Sequence, residues 1–213
     1  MPTIVHAFLS VMTTASLVTA GSPPAAAGDP DDILTIESIK TSGTGCPTPD
    51  SVTSEIQDHG KVFVVGFYSY EVRAPKAVST DLAVKTCRLS LKMKQKPGYT
   101  YALVSVNFRG GASRGKDARA RFVGNYAFTS GTGNPPVVYD DIAPKDDSVA
   151  YEWARRQETK EFVWMPCDQA AYLNIQTQLD VRPGLNNTSA WADLSSTDGR
   201  FTTLEFRHKQ CDK

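Results

Sequence analysis

Four cysteines, Cys46, Cys87, Cys167 and Cys211, are the residues of this 213-residue chain whose type and spacing point most directly to chemistry. Their wide intervals hold no Cys-x-x-Cys pair, a poor fit to a structural zinc site, whose ligands come in close pairs. An even count suits two disulfides if the chain is exported. Cys46 sits in "LTIESIKTSGTGCPTPDSV", residues 34–52, where Gly43, Gly45, Pro47 and Pro49 mark a reversal between strand-like runs. If the runs 52–57, 62–72 and 87–94 form a meander, Cys46 and Cys87 meet at one end of it. If 171–181 pairs antiparallel with 201–209, Cys167 meets Cys211. Those pairs are favoured, each closing a loop of about 40 residues worth on the order of 4 kcal/mol by chain entropy. Cys46–Cys211 with Cys87–Cys167 stays open, because spacing alone does not set connectivity.

Other chemistry leaves weaker marks. "NNTSA" holds two overlapping glycosylation sequons, with Asn186 and Asn187 as acceptors in a polar loop. Arg109, Arg114, Lys116, Arg119 and Arg121 make the segment around "GGASRGKDARARF" basic. Arg119 and Arg121 share an outward parity, so they are candidate contacts for an acidic glycan or phosphate surface, against the plainer role of solvated edge charges. Asp140-Asp141 and Asp146-Asp147 lack the spacing of a calcium loop, and no metal or other cofactor is expected. No G-x-S-x-G or HExxH motif occurs, and no catalytic residue is assigned. His208 has the parity of Leu204 and Phe206 and reads as structural, while His59 sits in a turn. Carboxylate pairs for glycoside hydrolysis leave no local motif, so that chemistry stays open. Most aromatics read as core; Trp191, in Ser/Thr-rich surroundings, is the candidate for an exposed sugar-stacking ring.

The elements that would position these residues are strands. "CRLSLKMK" places Cys87, Leu89, Leu91 and Met93 on one face and Arg88, Ser90, Lys92 and Lys94 on the other. "AYLNIQTQLDV" alternates in the same way. Half-buried antiparallel strands have this period of two. "KVFVVGFYSYEV", residues 61–72, is apolar on both parities and reads as one strand covered on both sides. Asp198-Gly199 marks a hairpin before the last strand. About ten strands and no amphipathic helix predict an all-β, antiparallel sandwich of two sheets.

Residues 1–20 read as a signal peptide: Ile4 to Ala20 is apolar, uncharged and too short to span a bilayer, with Val18 and Ala20 suiting cleavage after Ala20. Residues 21–32 form a flexible Pro/Ala/Gly/Asp leader, and 33–213 suit one sandwich domain. Twenty-three basic residues balance twenty-three acidic ones, which argues against an obligate nucleic-acid binder or a polybasic anchor. No second long apolar run offers a membrane span.

The segments "IESIKTSGTGCP", "CRLSLKMKQKPGYTYALVSVNFRGGAS", "WMPCDQAAYLNIQTQL" and "STDG" before a last strand ending in cysteine resemble the domain of unknown function 4360 family. That family comprises small secreted proteins of fungi and actinobacteria. The likeness runs from Leu34 to Cys211 and includes all four cysteines. It implies export and a disulfide-bonded β fold, and brings no activity. The functional expectation is a secreted, non-enzymatic binding protein for cell-wall polysaccharide, other glycans or a host surface protein. A polysaccharide hydrolase using a carboxylate pair, or a secreted inhibitor, are the alternatives.

Overall fold

The computed structural model describes residues 32–74, 83–129, 137–142, 150–167, 169–184, 188–194 and 201–212, with the side chains of 137–140 outside that description. The signal peptide, nearly all of the leader, both sequon asparagines, the Asp146-Asp147 pair and the Asp198-Gly199 turn lie outside the described residues.

The described residues hold twelve strands, against about ten expected: β1 (Leu34–Ser42), β2 (Val52–Gln57), β3 (Val62–Phe67), β4 (Glu71–Ala74), β5 (Ala83–Gln95), β6 (Tyr99–Arg114), β7 (Arg119–Phe128), β8 (Val137–Asp141), β9 (Tyr151–Glu158), β10 (Ala171–Arg182), β11 (Ala190–Asp193) and β12 (Thr202–Gln210). They form two antiparallel sheets. One has five strands in the order β1-β5-β10-β7-β8. The other has seven, ordered β2-β3-β12-β6-β11-β4, with β9 on the free side of β6. The all-β disulfide sandwich predicted from the alternation is the fold observed.

The core lies between the sheets. β5 contributes Leu89, Leu91 and Met93, β10 contributes Leu173, Ile175 and Leu179, and the seven-stranded sheet answers with Phe63, Val106, Phe108, Leu204 and Phe206. Each of these nonpolar side chains is worth about 1.5–3 kcal/mol of transfer free energy, which offsets chain entropy. β6 is buried on both parities at its start because the chain after β9 stays on its edge. Met165 donates its N–H to Tyr101, and Thr100 donates its hydroxyl to Met165.

Three expectations are corrected. Residues 61–72 are two strands, broken at Tyr68–Tyr70. Tyr70 turns into the core, edge-on to Phe67, donates to the Lys85 carbonyl and accepts from the Thr177 hydroxyl. Burying that ring swings the chain out of β3, so β4 joins the sheet beside β11 instead. The meander 52–57, 62–72, 87–94 does not form, since β5 belongs to the other sheet between β1 and β10. There Ile39 and Leu173 both align with Leu91, an apolar row across three strands. Nor do β10 and β12 pair; they lie in opposite sheets.

Cys46, just after β1, is bonded to Cys87 in β5, Cα–Cα 5.2 Å, and both are buried. Cys167, before β10, is bonded to Cys211, after β12, Cα–Cα 6.1 Å. The first bridge staples a single sheet; the second ties the two sheets together at one end and is open to solvent.

Candidate ligand-binding face

The outer face of the five-stranded sheet gathers unusual side chains. Along its central strand β10, the residues pointing away from the core are Tyr172, Asn174, Gln176, Gln178, Asp180 and Arg182. The register sets Tyr172 beside Lys92, Asn174 beside Ser90, and Gln176 between Arg88 of β5 and Asn125 of β7. Neighbouring strands stand about 4.8 Å apart and alternate residues about 6.8 Å, so these groups form a flat grid. Among the described residues, the side chains of Asn174, Gln176, Asn125 and Arg88 have no hydrogen-bond partner. The Tyr172 ring is 38% exposed at one end of the row.

The other end carries ion pairs. Arg121 donates to Asp180 through Nε and Nη2, each at 2.8 Å, and Gln178 adds a bond at 3.1 Å. Asp180 is only 1% exposed, so this carboxylate depends on its arginine. Arg119 pairs with Asp141 of β8 at 3.1 Å. Arg114, the last residue of β6, bonds the carbonyls of Ile142 and Ala118. Of the basic segment, Arg119 and Arg121 thus stand together on this face with carboxylate partners, and Arg114 holds the turn.

Trp191 is elsewhere. It belongs to β11, paired between Arg73 of β4 and Ser113 of β6, on the outer side of the seven-stranded sheet. Arg73 lies over its ring, 5.8 Å from the centroid, and is itself paired with Glu71. The fold does not bring Trp191 near Arg119 or Arg121. Below it on the same sheet, Phe162 and Trp164 stand 6.3 Å apart in an edge arrangement, with Val163 exposed between them. Arg207 and Lys209 of β12 cover these rings at 4.8 and 4.9 Å, so this ledge combines apolar area with charge. The exposed Tyr68, taken as core from sequence, is a further surface ring, whereas Trp153 is buried and donates to Gly111.

The carboxylates of the seven-stranded sheet are engaged. Arg156 binds Glu205 in a bidentate manner, 2.7 and 2.8 Å, and Glu158 at 3.2 Å. With the Ser105 hydroxyl also donating, Arg156 holds the Glu205 carboxyl below the ordinary carboxylate range. A glycosidase acid needs the opposite shift. Beside it a depression is lined by Lys61, Val104, Phe206 and His208. Burial, with Lys61 adding to it, lowers the His208 imidazole from its usual value. No group of three or more metal-binding side chains occurs among the described residues.

Sequence reasoning had Arg88, Asn174 and Gln176 on outward parities without giving them a role. The signal lay in the amides: Asn is depleted in strands, and β10 spaces three amide residues two apart.

A family model for a domain of unknown function, DUF4360, matches residues 32–211. An uncharacterized secreted protein of Arthroderma benhamiae is 26% identical over 187 residues, covering 87% of this chain and 74% of its own. Among solved structures, TmCBM61 in complex with β-1,4-galactotriose aligns over 85% of this chain and 92% of that one. Its TM-score of 0.30 and 11% identity are too slight to bear on the ligand. The secreted relative and the two disulfides place the protein outside the cell.

Proposed function

We propose that this chain, which belongs to the DUF4360 family of domains of unknown function, is a secreted, non-enzymatic binding protein that holds polysaccharide on the outer face of its five-stranded sheet. The observation that carries this reading is the unpartnered row Asn125, Gln176, Arg88 with Asn174 one step along β10. A merely solvated sheet face needs no amides, and Asn weakens a strand. An amide offers a donor and an acceptor in one plane, the complement of adjacent sugar hydroxyls. A flat grid suits an extended chain, and many modest hydrogen bonds add through multiplicity. Tyr172 supplies a ring for stacking at the end of the row.

Retention on insoluble cell-wall polysaccharide, measured by depletion from solution, tests the reading. Asn174→Ala/Gln176→Ala should lower affinity about tenfold while leaving the thermal transition in place. Equal retention of the double variant, or no retention of the parent, contradicts it.

The Phe162–Trp164 ledge supports a second reading, contact with another protein, since aromatic and arginine side chains are enriched in interface cores. Phe162→Ser/Val163→Ser should abolish such a contact and leave polysaccharide retention intact; the reverse outcome excludes it.

A further inference from the structure

The distribution of charge over the two sheets narrows the ligand. The whole chain is neutral, 23 basic residues against 23 acidic. The outer face of the five-stranded sheet is not. Lys40 of β1 and Arg88, Lys92 and Lys94 of β5 form a basic stripe parallel to the amide row. Arg119, Arg121 and Arg182 close its far end. Among the described residues on that face, only Glu37, Asp141 and Asp180 oppose these seven cations. Those three are committed, to Lys92, Arg119 and Arg121 in turn. Lys40, Arg88, Lys94 and Arg182 have no carboxylate within ion-pair distance among the described residues. On the opposite sheet Arg73 pairs with Glu71, Arg109 with Glu152, and Arg156 with Glu158 and Glu205, while Arg207 and Lys209 lie over Phe162 and Trp164.

We infer that the polysaccharide held on this face is polyanionic, carrying carboxylate or sulfate groups at regular intervals, and lies along β10 with its anions toward Lys40, Arg88 and Lys94. This rests on the binding reading above and specifies its ligand class. Like charges left unpaired along one strand repel each other, a cost that a string of anions removes. The amides between them fit the hydroxyls of the same chain. Nucleic acid fits less well, because among the described residues of this row Tyr172 is the one ring on which a base could stack. Among the described residues of the face, Val84 and Tyr172 are the exposed large apolar side chains, too little area to insert into a lipid surface.

The test is affinity electrophoresis of the mature protein in gels holding polygalacturonate, dextran sulfate, neutral dextran, hydroxyethyl cellulose or single-stranded DNA. Retardation by the two acidic polysaccharides is expected, falling about tenfold between about 50 and about 500 mM NaCl as screening shortens the range of charge. Lys40→Gln/Arg88→Gln should weaken that retardation about tenfold, whereas Arg109→Gln, on the opposite sheet, should not change it. Both sites are exposed and unpartnered, so the thermal transition should not move. Salt-insensitive retardation by the neutral polymers overturns the charge inference and leaves the sheet-face reading standing. Absence of retardation in every gel overturns both. Equal retardation by DNA overturns the restriction to polysaccharide, and an unaffected double variant overturns the location.

Discussion

Arg121 and Asp180 form a two-bond ion pair on the edge of the amide row, with the carboxylate withdrawn from solvent and the guanidinium partly exposed. The geometry divides the cations of this face into two kinds. Arg121 holds a buried charge in place; Arg88 holds nothing. Arg121→Ala should therefore cost about 3 kcal/mol in urea unfolding by stranding Asp180, whereas Arg88→Ala should stay within about 0.5 kcal/mol. Similar losses for both would mean that Arg88 has a structural role the fold does not reveal.

The two bridges should open in order. Cys46 and Cys87 are buried, while Cys167 is exposed and Cys211 half-buried. Under mild reductant, alkylation followed by peptide mapping should label Cys167 and Cys211 first. Removing that bridge, which spans 44 residues, should cost about 4 kcal/mol in the chain-entropy picture. Simultaneous labelling of all four thiols would show that reduction follows global unfolding.

Gly110 lets β6 and β11 approach. A Cβ there would collide with the Asp193 carbonyl oxygen and lie 2.7 Å from Cζ2 of Trp153. The same corner holds two bonds, Gly111 N–H to Asp193 Oδ1 at 2.7 Å and Trp153 Nε1–H to Gly111 O at 3.0 Å. Gly110→Ala should destabilise by about 1–3 kcal/mol and shift Trp153 fluorescence. At Gly98 a Cβ would meet nothing within 4 Å, but φ is +79°, so alanine there would add backbone strain without crowding. A silent Gly110→Ala would place the strands farther apart than described.

Stability should fall on the acid side of neutrality. The His208 imidazole is held below its ordinary value by burial and Lys61, so the unfolded chain takes up its proton first as pH drops below about 6.5. Stability is full above that point and declines toward the depressed folded value. The Glu205 carboxyl, also lowered, adds a second loss when pH passes below the carboxylate range. His208→Gln should flatten the first phase and leave the second. An unchanged profile in that variant would remove His208 as its source.

Much of this arrangement was legible in the chain, but only what is local. The period of two in 87–94 and 171–181 sets Arg88, Asn174 and Gln176 on solvent faces, because alternation is a property of each strand alone. Which strands lie side by side is not local. β5 and β10, 13 and 12 residues long, match Leu91 to Leu173 and Arg88 to Gln176 only once both are folded. The candidate face exists only in that juxtaposition, so its residues passed as ordinary outward positions. Trp191 shows the converse. "AWAD" is too short for alternation to register, and its Ser/Thr-rich surroundings read as loop, whereas β4 and β6 recruit it as a strand. Tyr70 likewise broke a run that hydrophobicity alone makes continuous.

Backbone amide chemical shifts of the isotope-labelled protein, recorded during titration with a polygalacturonate oligomer, bear most directly on where the ligand sits. Perturbations should cluster on Arg88–Lys94 of β5, Asn174–Gln178 of β10 and Asn125 of β7, and should fade as salt is raised. Shifts confined to Phe162–Trp164, Trp191 or the rest of the seven-stranded sheet, or no shifts at all, would contradict a ligand seated on the amide row.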